Sequence, residues 1–456
     1  MSFFNILSTR SQRSSLLGML VMLGLSLALF GMPFDRQFAE HCFYTASSIA
    51  LVALLLECWH LPGSLYRVFA RWDLWVLAAG WLMLIASQLF WLHRFTIVPP
   101  FEWLGTYLRE NCIFWACSIL LMLYIVLFNR CTLQGLKTFL VILFLAALVV
   151  LAVKGLHQHH QGIERISLKV DHPVPAGLVF SMLALTLSAM ALRWFPSPYK
   201  YSAVIIALFC GGVLVVLTQT RSALLMLVLL ALVLIWKLII KRFQGSSIVP
   251  WLTGIALMCM ALGVAFFMND RFYAIYSDLH NYAHGNQGGS LGARLVMWKA
   301  GLKSFMENPW GYSPTDRYAV VKGVIQSMTR NDPQVGVLIS GYAEHHVHNE
   351  IIEILSLEGI VGLLGVIAFH GAMIVVAWRK QLADDFFRLF VGFLILFGIS
   401  DPLFDSDKVG LLVSIAMPLF MALATPDRIR EFHHTTGKLP SDHGDVCMKD
   451  SARING

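Results

Sequence analysis

Apolar runs long enough to cross a lipid bilayer recur along almost the whole chain, at about 15–34, 43–62, 73–92, 111–128, 138–153, 174–192, 201–219, 222–240, 251–268, 350–378, 386–400 and 409–425. About 20 apolar residues span the hydrocarbon core as a helix. In lipid every backbone polar group must be satisfied within its own segment, which makes helices the economical solution. The pattern predicts an all-α polytopic membrane protein with about twelve transmembrane helices. Composition supports this: at 57% hydrophobic and 13% charged, 456 residues leave too little polar surface for a soluble fold.

The positive charges set an orientation. Arg67 and Arg71, Lys237, Lys241 and Arg242, and Arg379 and Lys380 fall in alternate short connections, which the positive-inside bias places in the cytoplasm with both termini. The net charge of +7 then reflects topology and implies no nucleic-acid partner. The first run follows Arg10 and Arg13, is long for a signal-peptide core, and reads as a retained span. The expected organisation is spans one to nine over 1–268, an outer loop domain with the site motifs over 269–349, spans ten to twelve over 350–425, and a flexible tail over 426–456. The eight cysteines (Cys42, Cys58, Cys112, Cys117, Cys131, Cys210, Cys259 and Cys447) form no C-x-x-C pair, which argues against a zinc ribbon or disulfide scaffold. A glycine-rich nucleotide loop is also missing, so nothing supports ATP-driven chemistry.

Three constellations carry chemistry. In "VLTQTRSALLML", Arg221 lies between two apolar runs. There a guanidinium either snorkels to the headgroups or binds an anion at the outer boundary. In "GGSLGARLVMWKAGLKSFMENPWGYSP", an amphipathic helix is expected from Gly292, with Leu295, Trp298, Leu302 and Phe305 on its apolar face and Lys299 and Lys303 opposite. Arg294 falls in its first turn, where the helix dipole disfavours a cation, so an anionic partner or plain solvation must account for it. In "EHHVHNEIIEILSLEGIVGLLG", His345, His346 and His348 precede a run expected to begin its helix near Asn349. Solvated loop histidines, a metal cluster and a general base all fit this stretch, with Glu350 and Glu353 close enough in sequence to favour an imidazolium. Together, two guanidinium groups and a histidine on one face suit a lipid-linked diphosphate: arginine forks hold phosphate oxygens and an imidazole activates a hydroxyl.

These motifs resemble the bacterial O-antigen ligase and polymerase superfamily. The resemblance rests on "TRSALL" around Arg221, "ARLVMW" to "NPWGYSP" around Arg294, and "HNEIIEILSLEGIVGLLG" from His348, together with the twelve-span layout and one large loop between spans nine and ten. It implies a multi-pass protein of a Gram-negative inner membrane with a large helical periplasmic loop. The implied activity is a metal-independent, cofactor-free inverting glycosyl transfer at the periplasmic face. The donor would be an undecaprenyl-diphosphate-linked O-antigen and the acceptor a lipid A–core oligosaccharide. Carried over, Arg221 and Arg294 hold the diphosphate and His348 activates the acceptor hydroxyl, with His346, Asn349 and Glu353 as supporting residues. Threonine stands before Arg221 where serine is common in the family.

The same donor would serve an O-antigen polymerase, and a protein oligosaccharyltransferase belongs to the same superfamily. A transporter of the lipid-linked glycan is the alternative of a different class. It would place charges near the bilayer midplane, whereas here they gather at one face. His157, His159 and His160, in the smaller outer segment 154–173, have no assigned role.

Overall fold

A computed structural model describes residues 10–60, 72–128, 134–168, 170, 172–196, 199–242, 255, 258–259, 262, 269–284, 287–379, 385–404 and 406–424. The described elements are all helices: α1 (Arg10–Gly31), α2 (Arg36–His60), α3 (Trp72–Arg94), α4 (Glu102–Phe128), α5 (Gln134–His160), α6 (Pro173–Trp194), α7 (Lys200–Thr218), α8 (Arg221–Arg242), α9 (Asn269–Ala283), α10 (Ser290–Glu307), α11 (Pro314–Met328), α12 (Pro333–Ala343), α13 (Glu350–Leu357), α14 (Gly359–Trp378), α15 (Asp385–Ser400) and α16 (Asp407–Ala424). Stretches of α2 to α7 and all of α14 are long and apolar enough to cross a membrane, and α1, α8 and α16 contain shorter apolar stretches. The chain is a polytopic helical membrane protein. The ninth expected span, 251–268, lies almost wholly outside the described residues.

Small residues bring the spans together. Gly80 of α3 faces Ala368 and Ala372 of α14, Gly24 of α1 faces Ala46 of α2, and Gly211 of α7 faces Ala184 of α6. Without a hydrophobic drive between helices in lipid, such close backbone approach supplies the packing. The central helix is α6, buried almost without interruption from Ala176 to Ala191 and packed against α5, α7, α8, α15 and α16.

Between α8 and α13, helices α9 to α12 form a separate layer. Its core joins Val296, Met297 and Ala300 of α10 to Val321 and Ile325 of α11, Ile339 of α12 and Val347. Local signals start these helices. Ser313 caps α11 ahead of Pro314 by accepting from the Asp316 amide, and Asp332 caps α12 ahead of Pro333 by accepting from the Val335 amide. For α10 the expected face is corrected. The buried stripe is Val296, Met297, Ala300, Gly301 and Ser304, while Leu302 is exposed. Small residues win that face because α13 approaches closely, with Ile352 against Gly301.

Two boundaries also differ from the expected ones. Helix α5 continues to His160, so His157, His159 and His160 form its last turn and not part of a loop. The run 350–378 is two helices. It breaks at Gly359, whose φ is +70°, because the Asn308–Gly311 loop docks into the break. The Ile360 amide donates to the Pro309 carbonyl (2.9 Å) and the Tyr312 amide to the Leu357 carbonyl (2.9 Å). The Trp91 indole also donates to the Leu357 carbonyl, at 3.0 Å.

Candidate functional site

Residues 344–349 join the layer of α9 to α12 to the membrane bundle. Asn349 fixes that junction with both ends of its side chain. Its carbonyl caps α13 by accepting from the Ile352 amide (3.1 Å), and its amide donates to the Ile399 carbonyl near the end of α15 (2.9 Å). His348, just before it, has φ +54°, a left-handed conformation uncommon for a residue with a Cβ. The neighbouring contacts enforce it. The Trp298 indole donates to the His348 carbonyl (3.2 Å), and His348 Nδ1 lies 2.8 Å from Asp401 Oδ1. Strain of this kind persists where the surroundings over-determine it, commonly at functional sites.

Asp401 follows the last residue of α15. Burial pushes its carboxyl up, but the hydrogen bond from His348 and the fields of His346, His348 and Arg294 more than offset this, leaving it below the usual carboxylate range. An ionised carboxylate only accepts hydrogen bonds, so His348 carries its proton on Nδ1 and presents Nε2 as the acceptor. His346 sits edge-on to His348, with ring centroids 4.3 Å apart and its Nε2 3.6 Å from Asp401 Oδ1. Burial holds the His346 imidazole well below its ordinary range, although the Asp401 carboxylate opposes this. His346 is therefore the poorer base of the two. His345 turns away, its exposed ring against Trp103.

One ligand atom from each of His346, His348 and Asp401 lies within 4.8 Å of the others, a donor set that could hold a metal ion. The 2.8 Å between His348 and Asp401 is nevertheless a hydrogen-bond separation. Two ligands of a tetrahedral ion, each about 2.1 Å from it, stay about 3.4 Å apart.

Arg294 lies just past the first turn of α10, since that helix begins at Ser290. One guanidinium nitrogen donates to the Ser400 carbonyl at 3.1 Å. A cation out of place on its own helix dipole is thus well placed at the C-terminal end of α15, beside Asp401. Arg221 opens α8, and its side chain lies outside the described residues. Its backbone location is clear. The Thr220 hydroxyl donates to the Pro173 carbonyl at 3.1 Å, so the starts of α8 and α6 adjoin. Helix α15 packs on both α6 and α8, and the Asp401 carboxylate that follows it lies close enough to the start of α6 to act on His172.

Glu353 does not touch His348. Its two oxygens accept from Arg317 (2.6 Å) and from the Val347 amide (2.7 Å), so it anchors the backbone one residue before His348 through a buried ion pair. Glu350 pairs instead with His370, at 3.2 Å. Neither glutamate is therefore the imidazole's counter-charge; Asp401 is. Sequence reasoning missed Asp401, Arg317 and the Trp298 hydrogen bond. The signal for Asp401 was present as a carboxylate before proline at the mouth of a span, in "FGISDPLFD".

Comparison with known proteins bears on this arrangement. Residues 206–367 match the family model described as O-antigen ligase, a stretch that includes Arg221, Arg294, Arg317, His348, Asn349 and Glu353 but stops short of Asp401. The chain is also 25% identical over 214 residues to an O-antigen ligase of Escherichia coli (strain K12), and that alignment covers 45% of this chain and 48% of the relative. Over these segments the chain is similar to O-antigen ligases, and it spans about half the length of this relative.

Proposed function

We propose that the protein is a glycosyltransferase of the O-antigen ligase type. It transfers a glycan from undecaprenyl diphosphate to a hydroxyl of the lipid A–core oligosaccharide, at the periplasmic face of a Gram-negative inner membrane. The observation that carries this reading is the His348–Asp401 pair: a left-handed histidine held at 2.8 Å by a buried carboxylate, with Arg294 beside it.

The chemistry follows from that pair. His348 Nε2 takes the proton from the acceptor hydroxyl as its oxygen bonds to the anomeric carbon. The bond from that carbon to the diphosphate oxygen breaks, and the electron pair leaves with undecaprenyl diphosphate. Attack from the face opposite the leaving group inverts the anomeric centre. Asp401 stabilises the imidazolium that forms, while Arg221 and Arg294 bind charge growing on the diphosphate, which lowers the barrier more than uniform binding would. The leaving group is good enough that neither ATP nor a metal is needed. The broken run at Gly359 and the cap at Asn349 keep His348 on a rigid junction rather than on a loose loop.

The test is transfer by purified protein from a lipid-linked glycan to lipopolysaccharide lacking O-antigen, with and without EDTA. Transfer that survives EDTA and is abolished in His348→Ala is the expected result. Inhibition by EDTA would instead favour a metal on His346, His348 and Asp401. In cells, deletion should leave lipopolysaccharide without O-antigen while lipid-linked polymer accumulates; lipopolysaccharide capped by single repeats would indicate a polymerase.

A further inference from the structure

His172 lies immediately before α6, on the loop that joins it to α5, and neither the catalytic pair nor the two arginines account for it. Its side chain is exposed and makes no capping hydrogen bond to the helix that it precedes. The segment holding it is well tied down. The Ile166 amide donates to the Leu217 carbonyl (3.1 Å), Arg165 Nε donates to the Thr218 carbonyl (3.2 Å), and the Gln219 amide group donates to the Glu164 carbonyl (3.1 Å). Thr220, the residue before Arg221, bonds to the carbonyl of Pro173, the residue after His172. Gly177, one turn into α6, has no room for a side chain because Thr220 and Ala223 occupy the space. The starts of α6 and α8 are therefore locked together, with His172 on one and Arg221 on the other.

His172 also lies close enough to the catalytic pair to feel its charges. The Asp401 carboxylate favours its cation, and Arg165 and His348 oppose it. Although the residue is exposed overall, partial loss of water around its ring is the largest influence and leaves it below its ordinary range, so it is neutral near pH 7. A neutral imidazole keeps one N–H to donate and adds no positive charge where arginines already supply it. At the start of α6, which adjoins the start of α8, such a donor suits the oxygens of a diphosphate.

We propose that His172 is a third donor-binding group, giving its ring N–H to a phosphate oxygen of the polyprenyl diphosphate. The proposal rests on the transferase reading for its ligand, but it can be tested apart from transfer.

The full chain in nanodiscs is titrated with a glycan-free polyprenyl diphosphate, as wild type and as His172→Ala, His172→Asn and His172→Gln. His172→Ala should weaken binding about tenfold, roughly 1.4 kcal/mol. Whichever of Asn and Gln places an N–H at the right distance should recover most of it. The thermal midpoint should not move, because no capping bond is lost. Equal affinity in wild type and His172→Ala would overturn the proposal. So would a tenfold loss accompanied by a fall of several degrees in midpoint, since that marks a structural histidine. Transfer assays separate the two readings. A raised donor KM with an unchanged acceptor KM and little change in kcat supports both. Binding that depends on His172 in a protein that transfers nothing keeps the diphosphate site and removes the transferase. Transfer that proceeds with an unchanged donor KM in His172→Ala removes His172 alone.

Discussion

With Asp401 ionised and 2.8 Å away, the His348 imidazole must keep its proton on Nδ1, and only Nε2 is left to meet a hydroxyl. Removing that nitrogen in His348→Ala should lower kcat by about 10² to 10⁴, the usual contribution of a positioned general base. Asp401→Asn keeps the size but can stabilise the wrong tautomer, so kcat should fall at least tenfold while the donor KM stays put. A loss confined to donor KM would remove Asp401 from the proton-transfer machinery. His346→Asn should change kcat less than about threefold, because burial has already made His346 a weak base. The same residue gives a pH dependence of known sign. Its folded-state pKa is depressed, so the unfolded segment binds more protons in acid, and the stability that neutral His346 confers above about pH 6.5 is lost as pH falls below it. Amide exchange over 344–350, corrected for its intrinsic rate, should therefore speed up between pH 7.5 and 5.5 in wild type and not in His346→Asn. Asp401 leaves that window untouched, since its depressed pKa matters only below the carboxylate range.

Helix breaks and caps decide where these side chains point, and the sequence announces some of them and hides others. Asn349 as a cap and the Pro-led starts of α11 and α12 follow local rules and are legible from spacing. The break at Gly359 is not. Gly359 sits inside a run that is largely apolar and reads as one helix, and what ends the helix there is the Asn308–Gly311 loop, almost fifty residues away in sequence. For the same reason the partner of Glu353 was invisible: Arg317 reaches it from α11. Both features make predictions. Gly359→Ala places a side chain at positive φ, against the backbone of Pro309, Trp310 and Gly311, and should cost more than the ~1 kcal/mol of an ordinary incompatible glycine. Gly371→Ala, in the same helix with open space around it, should be neutral or slightly stabilising. Thermal midpoints of the two variants in one detergent test this, and equal midpoints would remove the break as a structural requirement. Arg317→Met strands the buried Glu353 carboxylate and should destabilise by about 3–5 kcal/mol, whereas adding Glu353→Gln should recover much of that loss. The double variant should still lose activity, because the anchor on the Val347 amide is weakened.

At the scale of the whole molecule, the apolar pattern was enough to read an all-helical membrane protein, because the bilayer permits few alternatives. Which residues converge was harder to read. The three histidines are contiguous, yet His348 is singled out only by Asp401, brought in on α15 from beyond the family-matched segment. Likewise the neighbourhood of Arg221 depends on α6 and α15 packing together beside α8. Convergence at one face has a further consequence, since the proposed periplasmic transfer needs that face outward. The positive-inside bias predicts that orientation, and predicts the tail after residue 424 on the opposite side. Two single-cysteine proteins can test this directly. One has Gln326→Cys on the exposed surface of α11 as its sole cysteine, and the other keeps only the native Cys447. A membrane-impermeant maleimide applied to intact spheroplasts should label position 326 at once and Cys447 only after permeabilisation. Labelling in the reverse order would put His348, Asp401 and both arginines in the cytoplasm, where a periplasmic transfer could not take place. Labelling of both positions from outside would place an even number of crossings between them and remove the odd count of three expected for the last spans.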